Sequence, residues 1–195
     1  MSVRNSLLAI LTMGPAYGFQ LHGELASRTA GRRTVNVGQV YATLERLVDQ
    51  GAVRSAGTTA DGLPLYGLTP AGRTEALDWL NDTASSAGAE WNEMLERVLI
   101  ASSLAHVDLG PLLRGYRNAW QQRLDEPDGA EPGDVKGQSG LSAAADRAQA
   151  VAALAWLDTV LSRLRDQAGD TPLHRELSLV RPRRGRRPTA AAQPG

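Results

Sequence analysis

The sequence contains no cysteine, which excludes disulfides and thiolate metal sites and gives no sign of an oxidising compartment. Long apolar runs are missing too. No stretch approaches the ~20 residues of a membrane span, and the opening MSVRNSLLAILTMG has only a short apolar run without a small-residue cleavage site behind it. No signal peptide is expected, and a soluble cytoplasmic protein with no membrane partner is. The three histidines, His22, His106 and His174, are too scattered to suggest a metal site. No glycine-rich loop precedes a basic residue in the P-loop pattern. The acids are spread over helix surfaces without a nameable acid/base pair. Neither an enzyme nor a bound cofactor or metal is therefore expected.

Net charge is absent as well, but the zero conceals a polarity along the chain. Residues 1–80 hold seven arginines against six acids, residues 81–180 nine basic groups against fifteen acids, and residues 181–195 five arginines with no acid. An acidic middle is a poor nucleic-acid surface, so any DNA contact must come from the ends of the chain.

What is present is mainly helical pattern. In the stretch from Asn36 to Gly51, NVGQVYATLERLVDQG, residues Val37, Val40, Tyr41, Leu44, Leu47 and Val48 fall at the i, i+3, i+4, i+7 spacing of one buried stripe. Gln39, Ala42, Thr43 and Arg46 are left for the other face, whose short polar side chains suit the reading of base edges in a major groove. Asn36 with Gln39 makes a capping-box-like start, and Gly51 supplies the stop. Before this helix, short helices are expected over Asn5–Met13, ended by Gly14-Pro15, and over Tyr17–Ser27, followed by a polar loop carrying Arg32 and Arg33. After it, residues 52–55 and 65–69 read as two strands around an Asp61-Gly62 turn. Thr69 and Pro70 then open another helix as N-cap and first residue.

The second half continues as helices over about 89–104, 109–124 and 141–167, with Asp125 to Gly140 as a Pro-, Gly- and acid-rich linker. Residues 172–180 fit no pattern. From Arg181 onward the sequence is too polar and Pro-rich to pack, so a disordered basic tail is expected.

The order of these elements resembles the PadR-like transcriptional regulators. The run LLAILTMGPAYGFQLHGEL is similar to their first two helices, and GQVYATLERLVDQGAV to their recognition helix and first wing strand. YGLTPAGR, followed by Trp79-Leu80, is similar to the end of their wing and the next helix. The resemblance spans roughly residues 5–80, with one departure. Family wings carry a basic run before the tyrosine, whereas Gly62-Leu63-Pro64-Leu65-Tyr66 has no cation here.

The expected fold is mostly α with a small β-hairpin. A winged helix-turn-helix DNA-binding domain occupies 1–82. A helical dimerisation and effector domain occupies 83–180, with its flexible linker at 125–140, and the tail occupies 181–195. EWNEMLERVLIAS and AWLDTVLSRL resemble family segments that pack against a second subunit. Three amphipathic helices without a β-layer also call for another apolar surface, which a symmetric partner supplies.

Gln39, Thr43 and Arg46 are then the candidates for contacts to bases or backbone, Tyr41 for bracing the helix and reaching a phosphate, and Arg32, Arg33 and Arg54 for phosphates. The alternative for the helix is an ordinary surface helix of a bundle, and for the flanking arginines a solvated loop and strand end. The resemblance also implies a small aromatic effector held between subunits, with Trp91, Met94, Trp120 and Trp156 as its candidate residues; plain core packing is the alternative. The tail arginines are either a sequence-independent DNA arm or a solvated end. Taken together, these expectations describe a homodimeric repressor that binds an imperfect palindrome of double-stranded DNA and is released by a small molecule. The competing class is a winged-helix interaction module without specific DNA binding.

Overall fold

The computed structural model describes residues 3–82, 91–126, 138–166 and 173–179. In chain order these form α1 (Val3–Leu11), α2 (Gly18–Arg28), α3 (Val37–Asp49), β1 (Val53–Thr58), β2 (Pro64–Leu68), α4 (Pro70–Asn81), α5 (Trp91–Ser102), α6 (Leu109–Asp125) and α7 (Gln138–Asp166). The mostly helical architecture with one hairpin is as expected.

α1 is the centre of the molecule. Ser6 to Leu11 are all buried, and the helix packs against α2, α3, α4, α5 and β2. A helix that is apolar all round has no solvent face to offer, and a central position follows from that. It lies two residues earlier than the expected 5–13. The amides of Thr12, Met13 and Gly14 bond back to Ala9, Ile10 and Leu11 in a turn, and Gly14, at φ 142°, redirects the chain. That turn is fastened to the wing. Ala16 and Tyr66 exchange two backbone hydrogen bonds of 3.0 and 2.9 Å, a one-residue third strand too short to leave a sequence signal.

β1 and β2 pair antiparallel, with Val53 opposite Leu68 and Ser55 opposite Tyr66. The register shifts between Ser55 and Thr58, where Gly57 has φ 94°, so the ribbon bends through a bulge. β1 consequently runs three residues past the expected 52–55. α4 begins as its caps dictate: the Thr69 hydroxyl accepts from the Gly72 amide at 3.1 Å and donates to the Gly51 carbonyl at 2.7 Å. This second bond ties the start of α4 to the stop of α3.

α5, α6 and α7 form the second half, with α7 laid along α6. Asp108 caps α6 through the Gly110 amide at 2.9 Å. α7 begins at Gln138 rather than 141, and α6 reaches Asp125, so both rims of the expected 125–140 linker are helical. Its middle, 127–137, lies outside the described residues, as do the first residues of the expected 89–104 helix and the 181–195 tail. Residues 173–179 have no regular secondary structure and run along α2, where Gln20 and Arg28 donate hydrogen bonds to their carbonyls and Glu24 accepts one from the Ser178 amide.

Candidate nucleic-acid interface

α3 is built to present one face. The Asn36 side chain accepts from the Gln39 amide at 2.7 Å, closing the first turn, and Val40, Leu44 and Leu47 are buried against the core. Gly38, Gln39, Ala42, Glu45, Arg46 and Asp49 are exposed. The spacing argument assigns Thr43 to this outer face, but it is only 5% exposed. Position 43 stands three residues after Val40 and four before Leu47, at the edge of their stripe. Its hydroxyl donates to the Gln39 carbonyl at 2.7 Å and accepts from Arg46 Nη2 at 3.4 Å, so Thr43 positions its neighbours. Val48 makes the opposite exchange: assigned to the buried stripe, it is exposed.

Tyr41 is half-buried and braces two elements. A Cβ on Gly18 would lie 2.5 Å from its ring, so the start of α2 approaches α3 closely because residue 18 has no side chain. The Tyr66 hydroxyl, held above its ordinary pKa by burial and then by nearby Tyr41 and Glu45, marks where the wing meets α3.

The two flanks of α3 differ in charge. On one side a groove of about 290 Å³ is lined by Val3, Arg4, Arg33, Gln39, Thr43, Arg46, Leu47 and Gln50. Three arginines thus line this flank along the length of the helix, Arg4 also pairing with Glu75 and Gln50. Arg4 carries no sequence signal, since only the packing of α1 against α3 brings it to Arg46. On the other side, a groove of about 330 Å³ between α3 and the wing is lined by Glu45, Val48, Asp49, Ser55, Pro64, Leu65 and Tyr66. It is apolar and acidic. Glu45 and Asp49, which the face reading passed over, lie at i, i+4 along the outer surface.

Of the flanking arginines, Arg32 is exposed, and Arg54 is exposed with only a long 3.4 Å bond to Ser55. Arg33 is paired with Glu96 of α5 at 3.1 Å. Glu96 also accepts from the buried Ser6 hydroxyl at 3.0 Å, so one carboxylate joins α5, α1 and the loop before α3. The four expected effector residues fall into two pairs. Trp120 is buried, its indole N–H directed at the Met94 sulfur at 3.0 Å. Trp91 and Trp156 meet edge to face, with centroids 5.7 Å apart, and stay half-buried. Among the described residues no group of acids and histidines is placed to hold a metal ion.

Residues 7–78 match the model of the transcriptional regulator PadR-like family. That match spans the winged-helix half of the chain, which is similar to this family. Members of that family are transcriptional regulators, not enzymes. A comparison with curated proteins found none that matches. Among solved structures, similar chains include Bacillus subtilis PadR in complex with operator DNA, at 18% identity, 82% of this chain and 96% of that chain, and TM-score 0.38. The same protein in complex with p-coumaric acid is similar at 17% identity, 84% and 98% coverage and TM-score 0.38. Bacillus subtilis PadR is similar at 19%, 85% and 97%, and 0.35. The PadR-like match covers all of α2, α3, the wing and most of α4, the elements that carry the two grooves.

Proposed function

We propose that the chain is a homodimeric, DNA-binding repressor whose α3 enters a major groove at each half of an imperfect palindrome, the two helices ~34–36 Å apart. One observation carries this reading: a capped helix with a solvent-facing polar side beside a groove of three arginines. Gln39 and Arg46 would meet bases or backbone and Arg4, Arg32 and Arg54 would meet phosphates, while Thr43 holds Gln39 and Arg46 in position and Arg33 stays paired with Glu96. Dimerisation is supported by α7, which leaves Leu141 and Val151 exposed on the helical half. A small aromatic effector would stack on Trp91 and Trp156, with Met94 and Trp120 as the packed layer beneath, and would act by favouring one dimer geometry over the other. Cytoplasmic residence follows from that role.

The test is a mobility shift with the DNA upstream of the protein's own gene. Arg46→Ala and Gln39→Ala are each expected to weaken specific binding by about tenfold or more, the size of one base contact, with circular dichroism unchanged. Tryptophan quenching by a panel of planar aromatics that includes p-coumaric acid reads the effector. Absence of quenching across the panel would remove that part of the proposal.

Glu45 and Asp49 favour a second reading, a winged-helix module that binds protein rather than DNA, because carboxylates at the centre of α3 repel phosphates. Failure to retard any duplex at low salt would decide for it.

A further inference from the structure

We propose that Glu24 and Arg28 are positioning residues that lock the winged-helix half at one angle on the helical half. The lock sets the separation of the two α3 helices in the dimer, a role that rests on the homodimeric DNA-binding reading above. Its centre is a buried ion pair. Glu24 and Arg28 stand one turn apart on α2, 2.7 Å from each other, with side chains 4% and 0% exposed. Such a pair is stable only if its remaining polar atoms are also satisfied. Here two other parts of the chain satisfy them. Arg28 Nη1 donates to Ser103 Oγ at 2.7 Å and to the Ser103 carbonyl at 3.1 Å, just beyond the end of α5. Arg28 Nη2 donates to the carbonyls of Arg175 and Glu176 at 3.0 and 3.2 Å. With Nε on Glu24, every N–H of the guanidinium is accounted for. The other Glu24 oxygen accepts from the Ser178 amide at 2.5 Å. The Arg175 amide also donates to the Ser103 carbonyl at 3.3 Å. One guanidinium thus fastens α2, the turn after α5 and residues 173–179 to one another.

A second anchor turns this junction into a fixed angle. Glu96 holds Arg33 and Ser6 from its place on α5, and at ~1.5 Å per residue Ser103 stands ~10 Å further along. A body held at one point swivels about it. Held at two, it turns only about the line joining them, and the packing of α1 on α5 blocks that motion. The hold at Arg28 is polar rather than packed. Residues 173–179 are exposed apart from half-buried Leu177, and cavities of about 420 and 230 Å³ lie beside them. Exchanging the ion pair therefore frees this anchor without emptying the core. In a two-fold dimer a swivel of one winged-helix half is repeated in its partner, so both displacements enter the separation of the α3 helices. One base pair added between half-sites shifts them by ~3.4 Å, so a lock that holds each α3 more closely than that selects one spacing.

The experiment uses the full chain. Glu24→Leu combined with Arg28→Met replaces the pair by apolar side chains of similar size, an exchange that buried pairs tolerate. Arg28→Lys keeps the charge but cannot serve all the same partners at once. Spin labels at Ala42→Cys on α3 and Gln122→Cys on α6, the only thiols in the chain, report the angle without DNA when labelled chains are diluted into excess unlabelled protein. The lock intact, one narrow distance distribution is expected; both variants should broaden it with circular dichroism unchanged. On DNA, both variants should bind a single half-site as the unmodified protein does, yet bind the upstream duplex about tenfold or more weakly, since the two halves no longer engage together. Their preference for the natural spacing over duplexes lengthened or shortened by one base pair should largely vanish. Distances that stay narrow in both variants overturn the lock. Broader distances with the spacing preference intact, or an equal loss on single half-sites, overturn its role in spacing. No retardation by the unmodified protein overturns the DNA-binding reading and the spacing role with it, while the labels still decide the lock.

Discussion

A methyl group added at Gly72 would lie 1.9 Å from the Ala52 carbonyl oxygen, a clash with backbone that no rotamer change relieves. Gly72→Ala is therefore expected to destabilise the winged-helix half by about 3 kcal/mol, read as a lower urea midpoint with unchanged slope. Tyr116 presents a different strain. Its hydroxyl is buried with no hydrogen-bond partner among the described residues, the Arg97 guanidinium lies over its ring at 5.8 Å from the centroid, and burial pushes its pKa up to about 12. The folded phenol stays neutral where the unfolded one ionises, so this contribution to stability is complete below pH 10 and is lost as pH rises from 10 towards 12. Tyr116→Phe should flatten that alkaline decline and hold or gain up to ~1 kcal/mol at pH 7, since it removes an unpaired polar atom; urea melts at pH 7, 9.5 and 11 measure both. At this scale the sequence was informative where one residue type has one use. Asn36, Thr69 and Pro70 were readable as caps because few side chains close a first turn, whereas Thr43 sat at a stripe edge where spacing alone does not decide burial.

For the elements, the asymmetry of α3 decides what binding requires. Its α1 side gathers Arg4, Arg33 and Arg46, and its wing side holds Glu45 and Asp49. Glu96 controls how much of the basic side reaches DNA, because it neutralises Arg33 while accepting from buried Ser6. Glu96→Ala is expected to cost ~1–3 kcal/mol of stability through the stranded Ser6 hydroxyl. It should also steepen the salt slope of DNA binding by about one unit as Arg33 is released to a phosphate; urea melts and anisotropy titrations on one preparation read the two effects. The helices and the hairpin were legible from period and turn chemistry. The ties among them were not: Arg33 with Glu96, Ala16 with Tyr66 and Arg4 with the α3 groove each join residues far apart in sequence, through single contacts that impose no pattern on either side.

Across the whole molecule, the winged-helix half and a helical half meet through α1, which packs against both. Val151 stands 52% exposed on α7. Val151→Asp is expected to give a monomer by light scattering with unchanged helicity, and to weaken binding to the two-half-site duplex far more than to a single half-site. An unchanged dimer would place the partner surface elsewhere. The order of the two halves could be read in sequence from where the hairpin ends and the long amphipathic helices begin. The course of residues 173–179 could not, because a segment held by its own backbone has no need of a recognisable side-chain pattern.

The hold of α2 on residues 173–179 also sets a clock. Arg28 is made early, but the Arg175 carbonyl that it holds follows 147 residues later, which at about 5–20 residues per second is ~7–30 s of synthesis. Through that interval α2 carries an ion pair whose Ser103 partner arrives about halfway and whose last partners do not yet exist. The winged-helix half is thus the first to be synthesised and among the last to be completed, and a chain released before Ser178 leaves the ribosome with that helix unfinished.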